Sequence, residues 1–267
     1  MKVSIIQSRV IDSKKANLAK IRELVEREVP EETDFLLLPE MFNCPYEAEK
    51  FGDYAERIPG ETTDFLSEIA HGLGSYVIGG SIPEREDGAI YNTAPVLGPG
   101  GDLIGRHRKV HLFEVDYPGR IQFKESVYLK AGDVPTVVDT SFGKVGVAIC
   151  YDLRFPELLR EMALDGAETF FVPAAFNTTT GPPHWRPLLR ARAIDNQVFV
   201  LAGSPARNMD SSYHAYGHSL AVDPWGVVLA EAGESEEVLT VDLDLDMVRE
   251  ARKRLPLLET RRPDVYG

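Results

Sequence analysis

What is scarce in this chain narrows its function before any motif is read. Cysteine is nearly absent: 267 residues carry only Cys44 and Cys150. One disulfide between them is possible in principle, but a chain of this size with no signal-peptide layout is expected in a reducing compartment. Neither CxxC nor HExxH occurs, and the six histidines (His71, His107, His111, His184, His214, His218) lack zinc spacing. His214 and His218 are four apart, but Ala-Tyr-Gly between them reads as loop or strand, where that spacing does not align two rings. No metal and no other cofactor is expected. Basic residues are outnumbered, 29 Lys and Arg against 42 Asp and Glu, for a net charge of −13. Such a field argues against nucleic acid and anionic membrane surfaces as partners. Long hydrophobic runs are missing too, since none approaches the ~20 residues needed to span a bilayer. Met1-Lys-Val-Ser-Ile-Ile-Gln7 enters a strand-like run with no signal-peptide layout, so a cytoplasmic protein is expected.

What remains is an ordinary globular composition, 43% hydrophobic and 27% charged, long enough for a large buried core. No linker, low-complexity run or charge block divides it, and residues 1–267 read as one domain. Strand and helix patterns alternate from the start. Val3 to Gln7 reads as strand, and Ser13 to Val29 as a helix with Leu18, Ile21, Val25 and Val29 on one face. Phe35 to Leu38 is a short apolar run of the doubly buried kind. Thr62 to Leu73 reads as a helix capped by Thr62 or Thr63, and Tyr76 to Ile82 as a strand. Tyr91–Leu97 and Leu103–Arg108 form a hairpin, and residues 111–133 look irregular. Strand patterns return at Thr136–Thr140, Lys144–Cys150, Phe170–Ala174 and Val198–Gly203, with helices from Pro156 and Pro183 between them. A second hairpin, a strand over Val238–Asp242 and a short helix near Leu245–Arg254 complete the chain. Gly80-Ser-Ile-Pro83 and Gly203-Ser-Pro205 each precede a hairpin, a faint echo that implies two related β-rich halves or else chance.

Three strand ends carry chemistry. Glu40 follows Phe35-Leu-Leu-Leu-Pro39, Lys109 follows Leu103-Ile-Gly-Arg-His-Arg108, and Cys150 ends Lys144-Val-Gly-Val-Ala-Ile-Cys150. The carboxyl edge of a sheet is where α/β proteins commonly place their reacting groups. A thiol is only partly ionised at neutral pH and needs a base or a positive environment to act as nucleophile. Glu40 can take that proton and return it to a departing amine. Lys109 can oppose the charge on a tetrahedral oxygen, helped by the Tyr151 backbone N–H. Singly, each has a plainer reading: Cys150 as a small buried hydrophobe, Glu40 as a solvated loop acid, Lys109 as part of a solvated basic run.

In combination, Leu38-Pro-Glu40, Arg108-Lys-Val-His111 and Gly146-Val-Ala-Ile-Cys-Tyr-Asp-Leu-Arg154 resemble, in order and spacing, the three signature segments of the nitrilase superfamily of carbon–nitrogen hydrolases. The resemblance runs from Met1 to about Tyr266. It implies a four-layer α-β-β-α sandwich, two mixed sheets flanked by helices, and a homodimer joined through the helices near Pro156 and Pro183. It also implies a Glu40–Lys109–Cys150 triad, with Glu125 as a second glutamate that orients Lys109. The finer resemblance is to the omega-amidase group, carried by Phe42-Asn-Cys-Pro-Tyr46, His111-Leu-Phe-Glu-Val-Asp116, Phe176-Asn-Thr-Thr-Thr-Gly-Pro-Pro-His-Trp185, and Asn196-Gln-Val-Phe-Val200 through Ser204-Pro-Ala-Arg207. Deaminated-glutathione amidases share much of this. The resemblance implies hydrolysis of the terminal amide of dicarboxylic monoamides such as 2-oxoglutaramate, 2-oxosuccinamate and succinamate. Such a substrate asks for a cation to hold its far carboxylate, and Arg154 is the first candidate, with a structural ion pair as its alternative. Tyr46, Tyr151, Phe176 and Thr178 are the remaining candidates for the pocket, along with Phe42. Phe42 and Phe176 also read as core, and His184 and Trp185 as capping and packing residues.

Overall fold

Alternation along the strands decides the architecture. A computed structural model describes residues 1–119 and 121–266, with Ile121 by its backbone alone. The strands are β1 (Lys2–Gln7), β2 (Phe35–Leu37), β3 (Tyr76–Ile78), β4 (Ile82–Glu86), β5 (Ala89–Leu97), β6 (Leu103–Arg108), β7 (Glu114–Tyr117), β8 (Ile121–Lys124), β9 (Thr136–Thr140), β10 (Gly143–Val147), β11 (Thr169–Pro173), β12 (Phe199–Gly203), β13 (Leu220–Val222), β14 (Val228–Glu231) and β15 (Glu237–Asp242). The α-helices are α1 (Lys14–Glu28), α2 (Phe51–Tyr54), α3 (Glu61–Leu73), α4 (Pro156–Leu164), α5 (Gly181–Asn196), α6 (Asp246–Arg254) and α7 (Pro263–Tyr266). None of these helices is long and apolar enough to cross a membrane.

The first sheet runs β15-β1-β2-β3-β5-β4, with β6 on the other edge of the long β5. The second runs β14-β13-β12-β11-β10-β9. Each has three parallel strands at its centre, β1-β2-β3 in one and β10-β11-β12 in the other, with antiparallel neighbours outside. The two Gly-Ser segments fall at comparable points, just after β3 and at the end of β12. In the first sheet, Val3, Ile5, Phe35, Leu37 and Ile78 point to the second sheet and share a core with Val147, Phe171 and Leu201. Their strand neighbours Ile6, Leu36, Leu38 and Val77 point the other way, onto Leu18, Ile21 and Leu24 of α1 and Phe65, Leu66 and Ile69 of α3. Period-2 alternation in the strands and 3.6-residue spacing in α1 meet at this seam. Phe35 stacks on Phe171 across the sheets, ring centroids 5.0 Å apart. Leu158, Leu159 and Met162 of α4 and Trp185, Leu189 and Ala193 of α5 cover the second sheet's outer face. The layers are therefore helix, sheet, sheet, helix, as the resemblance implied.

Local chemistry explains where the elements begin and break. Ser13 caps α1, its Oγ accepting from the Ala16 N–H at 3.4 Å. The cap of α3 is Gly60 rather than Thr62 or Thr63: Thr63 is already helical, and its hydroxyl reaches back to accept from the Gly60 N–H at 2.6 Å. The strand expected over Tyr76–Ile82 divides into β3 and β4, because Gly80 takes φ +57° and the chain turns there. Residues 111–133 are not irregular throughout, since β7 and β8 pair in register from Glu114↔Lys124 to Tyr117↔Ile121. A 3₁₀ turn over Cys150–Arg154 intervenes before α4, whose first residue is Pro156.

Candidate active site

Glu40 leaves the carboxyl end of β2 at a corner held by its neighbours. Leu38 N–H continues the sheet to Ile78 C=O at 3.1 Å, and Ser81 N–H donates to Pro39 C=O at 3.2 Å. Met41, next in the chain, has φ +52°, and its N–H is held by Ser81 Oγ at 3.1 Å. The corner leaves Glu40 without solvent exposure. Lys109 follows β6, its N–H bonded to Asn92 C=O at 2.8 Å and its C=O to Gly132 N–H at 2.9 Å. Although it belongs to the run Arg106-His-Arg-Lys109, it is only 1% exposed. Glu125 opens a 3₁₀ turn after β8 and is equally buried.

These three form one ionic cluster. Lys109 Nζ lies 2.9 Å from Glu40 Oε1 and 2.9 Å from Glu125 Oε2. Its third neighbour is the Tyr46 hydroxyl at 3.3 Å, which itself donates to Glu125 Oε1 at 2.7 Å. An ammonium has three protons, so the Tyr46 direction is the one most weakly engaged. Glu125 Oε2 also accepts from the Phe113 N–H at 2.6 Å, and Asn92 Nδ2 donates to Glu40 Oε1 at 2.8 Å. Glu40 Oε2 is left buried with no acceptor role filled among the described residues.

Cys150 sits at the start of its 3₁₀ turn with φ +46°, the left-handed region that a β-carbon makes costly, of order 1–3 kcal/mol. The turn brings the thiol beside Glu40, and only 5% of the residue is exposed. Burial, and then the charge on Glu40, push the thiol well above its ordinary pKa. The same effects favour the neutral thiol over the thiolate at Cys150. Burial likewise raises Glu40, with Glu125 adding to the rise and Lys109 opposing it. A carboxylate with a raised pKa is a stronger base, which suits a proton shuttle. Burial disfavours the Lys109 charge, yet Glu125 and Glu40 outweigh it and hold the ammonium well above its ordinary value. Burial and the Glu125 charge keep the Tyr46 hydroxyl protonated.

Two cavities meet at this cluster. A small chamber beside Cys150 is lined by Phe113, Tyr151, Arg154, Phe176, Asn177 and Tyr213 among others. A cleft of about 590 Å³ lies outside it, bordered by Tyr46, Phe123 and Lys124 on one side and Thr178 and His214 on the other. Asn177 and Tyr213 border both. The Arg154 guanidinium lies 4.8 Å from the Phe176 ring centroid and 5.7 Å from that of Tyr151. Its Nη1 is 3.2 Å from His184 Nδ1, and among the described residues no carboxylate pairs with it. The ion-pair alternative for Arg154 therefore finds no partner, while His184 does more than pack.

The remaining expected residues sort by position. Tyr46 touches the ionic cluster, and Tyr151 and Phe176 line the chamber beside Cys150. Thr178 borders the outer cleft instead, and Thr180 takes the place beside Cys150. Phe42 does not wall the pocket; it is fully buried in the core between the first sheet and its helices. Sequence reasoning missed Asn92, Asn177 and Tyr213. A polar residue amid the apolar run Tyr91–Leu97 was the available signal for Asn92. Asn177 Oδ1 accepts from the Thr179 and Thr180 N–H groups at 2.9 Å each, and its buried Nδ2 has no acceptor among the described residues. Tyr213 hydrogen-bonds Ala175 C=O and packs 4.6 Å from the Tyr46 ring, contacts that no local pattern announces.

A thiol, a buried base, an ammonium and two donor-lined cavities are parts suited to acyl transfer from an amide. Comparison with known proteins agrees with that chemistry. The chain is 48% identical to omega-amidase NIT2-A of Xenopus laevis over 266 residues, covering 100% of this chain and 96% of that protein. It is 45% identical to omega-amidase NIT2 of Homo sapiens over 266 residues, again 100% and 96%. The crystal structure of Saccharomyces cerevisiae Nit3, described as a member of branch 10 of the nitrilase superfamily, superposes with a TM-score of 0.89 at 43% identity, covering 98% of this chain and 96% of that one. The family model for carbon-nitrogen hydrolases matches residues 2–253. This chain belongs to the carbon-nitrogen hydrolase family, and it is an amide-hydrolysing enzyme of the nitrilase superfamily.

Proposed function

We propose that the enzyme releases ammonia from the terminal amide of small dicarboxylic acid monoamides, of the 2-oxoglutaramate, 2-oxosuccinamate and succinamate type, through a Cys150 thioester. The observation that carries the substrate class is Arg154, a guanidinium without a carboxylate partner among the described residues, on the wall of the chamber that holds Cys150. The full-length likeness to omega-amidases supports the same reading. The far carboxylate engages Arg154, which a planar fork grips in two places. Cys150 Sγ attacks the amide carbon while Glu40 takes the thiol proton. Lys109 and the Tyr151 N–H oppose the charge on the carbonyl oxygen. Collapse of the tetrahedral species breaks the C–N bond as Glu40 passes its proton to the leaving ammonia. Water, deprotonated by Glu40, then attacks the thioester and releases the carboxylate and the thiol. Glu125 holds Lys109 throughout. A homodimer joined through α4 and α5, in the cytoplasm, belongs to the same reading.

An ammonia-release assay tests the substrate class. Succinamate and 2-oxoglutaramate should exceed deaminated glutathione by at least ~100-fold in kcat/KM. Arg154→Lys should raise KM for these anions far more than for butyramide, because a point charge replaces the fork. Deaminated glutathione turning over equally well, or equal losses on the charged and neutral amides, would overturn the substrate class and leave amide hydrolysis intact.

A further inference from the structure

One buried carboxylate beside the cluster has no part in the proton transfers above. Asp152 is fully buried, and both its oxygens are saturated with donors. Oδ2 accepts from the Ile149 N–H and from His107 Nε2, each at 3.0 Å. Oδ1 accepts from the His111 N–H at 2.9 Å and from His111 Nδ1 at 2.8 Å. A carboxylate is acceptor only, so His107 carries its proton on Nε2 and His111 on Nδ1. Thr136 Oγ1, 3.0 Å from His107 Nδ1, supplies the complementary donor. The His111 ring is braced flat on Phe155, centroids 3.6 Å apart.

The positions of these partners matter more than their number. His107 and His111 lie two residues before and two after Lys109. Ile149 and Asp152 flank Cys150, and the Asp152 N–H returns a bond to Ile149 C=O at 3.0 Å, closing the turn that holds Cys150 at positive φ. One side chain thus fastens the segment bearing the ammonium to the strained turn bearing the nucleophile, across more than forty residues of chain.

We propose that Asp152, His107 and His111 are positioning residues that set the Lys109–Cys150 geometry and keep the nucleophile turn closed. The inference rests on the Glu–Lys–Cys reading above. A displacement of ~1 Å at a reacting group can cost ~10²-fold in rate with substrate binding little changed. The clamp touches no substrate, so its loss belongs in kcat.

The test uses the full-length enzyme with succinamate, reading kcat and KM by ammonia release, with Cys150→Ala as reference. His111→Ala removes the side-chain donor to Asp152. His111→Asn restores it, since the amide Nδ2 takes the place of ring Nδ1, but it does not restore the stack on Phe155. We expect His111→Ala to lose ~10-fold or more in kcat with KM within ~3-fold, and His111→Asn to recover to within ~3-fold of wild type. Asp152→Asn should lose ~10²-fold in kcat and slow alkylation of Cys150 by iodoacetamide. If Asp152→Asn does not fold, the His111 pair decides alone. Wild-type kcat in His111→Ala, or no recovery in His111→Asn, would overturn the clamp. An active Cys150→Ala enzyme would instead sink the triad reading, so the two failures are distinguishable.

Discussion

At the scale of residues, two carboxylates and one ammonium share a buried pocket with a thiol, and the role proposed for each can be tested by substitution. Cys150→Ala should abolish ammonia release, and Cys150→Ser should nearly do so. Glu40→Gln keeps the shape and the Asn92 neighbourhood but removes the proposed base, and should cost roughly 10²–10⁴-fold in kcat. Lys109→Ala should lose a similar factor and also lower stability, by about 3–5 kcal/mol, because Glu40 and Glu125 would be left buried without their cation. Urea denaturation separates that loss from the catalytic one. Hydroxylamine added during wild-type turnover should trap a hydroxamate, the aminolysis product of a thioester. Retained activity in Cys150→Ala would exclude a cysteine nucleophile.

At the scale of elements, Gly80 shows how a turn between strands governs the placement of the Glu40 side chain. A β-carbon there would lie 2.2 Å from Pro39 C=O and 3.0 Å from the Phe42 ring, with φ at +57° besides. The turn after β3 therefore approaches the corner that carries Glu40 so closely that only glycine fits. Gly80→Ala should lower stability by at least about 1–3 kcal/mol from backbone strain alone. It should also reduce kcat, since the corner must give way; a urea melt and an ammonia assay on the same preparation check both. A Gly80→Ala enzyme with wild-type stability and rate would mean that the corner does not constrain Glu40. The β7–β8 hairpin acts at the same level, since Phe123 stacks on Tyr46 at 5.4 Å and Glu125 follows immediately.

At the scale of the whole molecule, the Asp152 network links the fold to pH. Burial alone would raise this carboxyl, but hydrogen bonds from His107, His111 and the Ile149 N–H hold it well below the ordinary aspartate range. A depressed folded-state pKa contributes stability that is fully present above the unfolded value, ~3.9, and is lost as pH falls through the folded value. Wild type should therefore be more stable than Asp152→Asn at pH 7, with the gap closing as acid is added below about pH 4. Thermal melts from pH 7 downward measure it, and a gap that stays constant with pH would show that the charge contributes nothing. The first and last strands are tied at the same scale: β1 pairs with β15 from Lys2↔Asp242 to Gln7↔Glu237, so the first strand depends on residues near the other end of the chain.

The sequence by itself determined most of the elements and the three segments that carry Glu40, Lys109 and Cys150. Period-2 and 3.6-residue patterns are local, and the chemistry at Glu40, Lys109 and Cys150 lies in short segments whose order can be read directly. It also carried Glu125 through the resemblance of its segment. It did not reveal the β7–β8 hairpin, because four-residue strands beside polar residues are too short for alternation to emerge from loop composition. Nor did it reveal the break at Gly80, where an apolar run continues in sequence while the backbone turns. Tertiary structure alone decided that Lys109 is buried, that Asn92 and Tyr213 join the site, that Phe42 does not, and that Arg154 has no carboxylate partner among the described residues. These depend on which distant segments the two sheets bring together. A side chain's protonation and solvent exposure follow from neighbours forty to a hundred residues away, so no pattern within a single segment can report them.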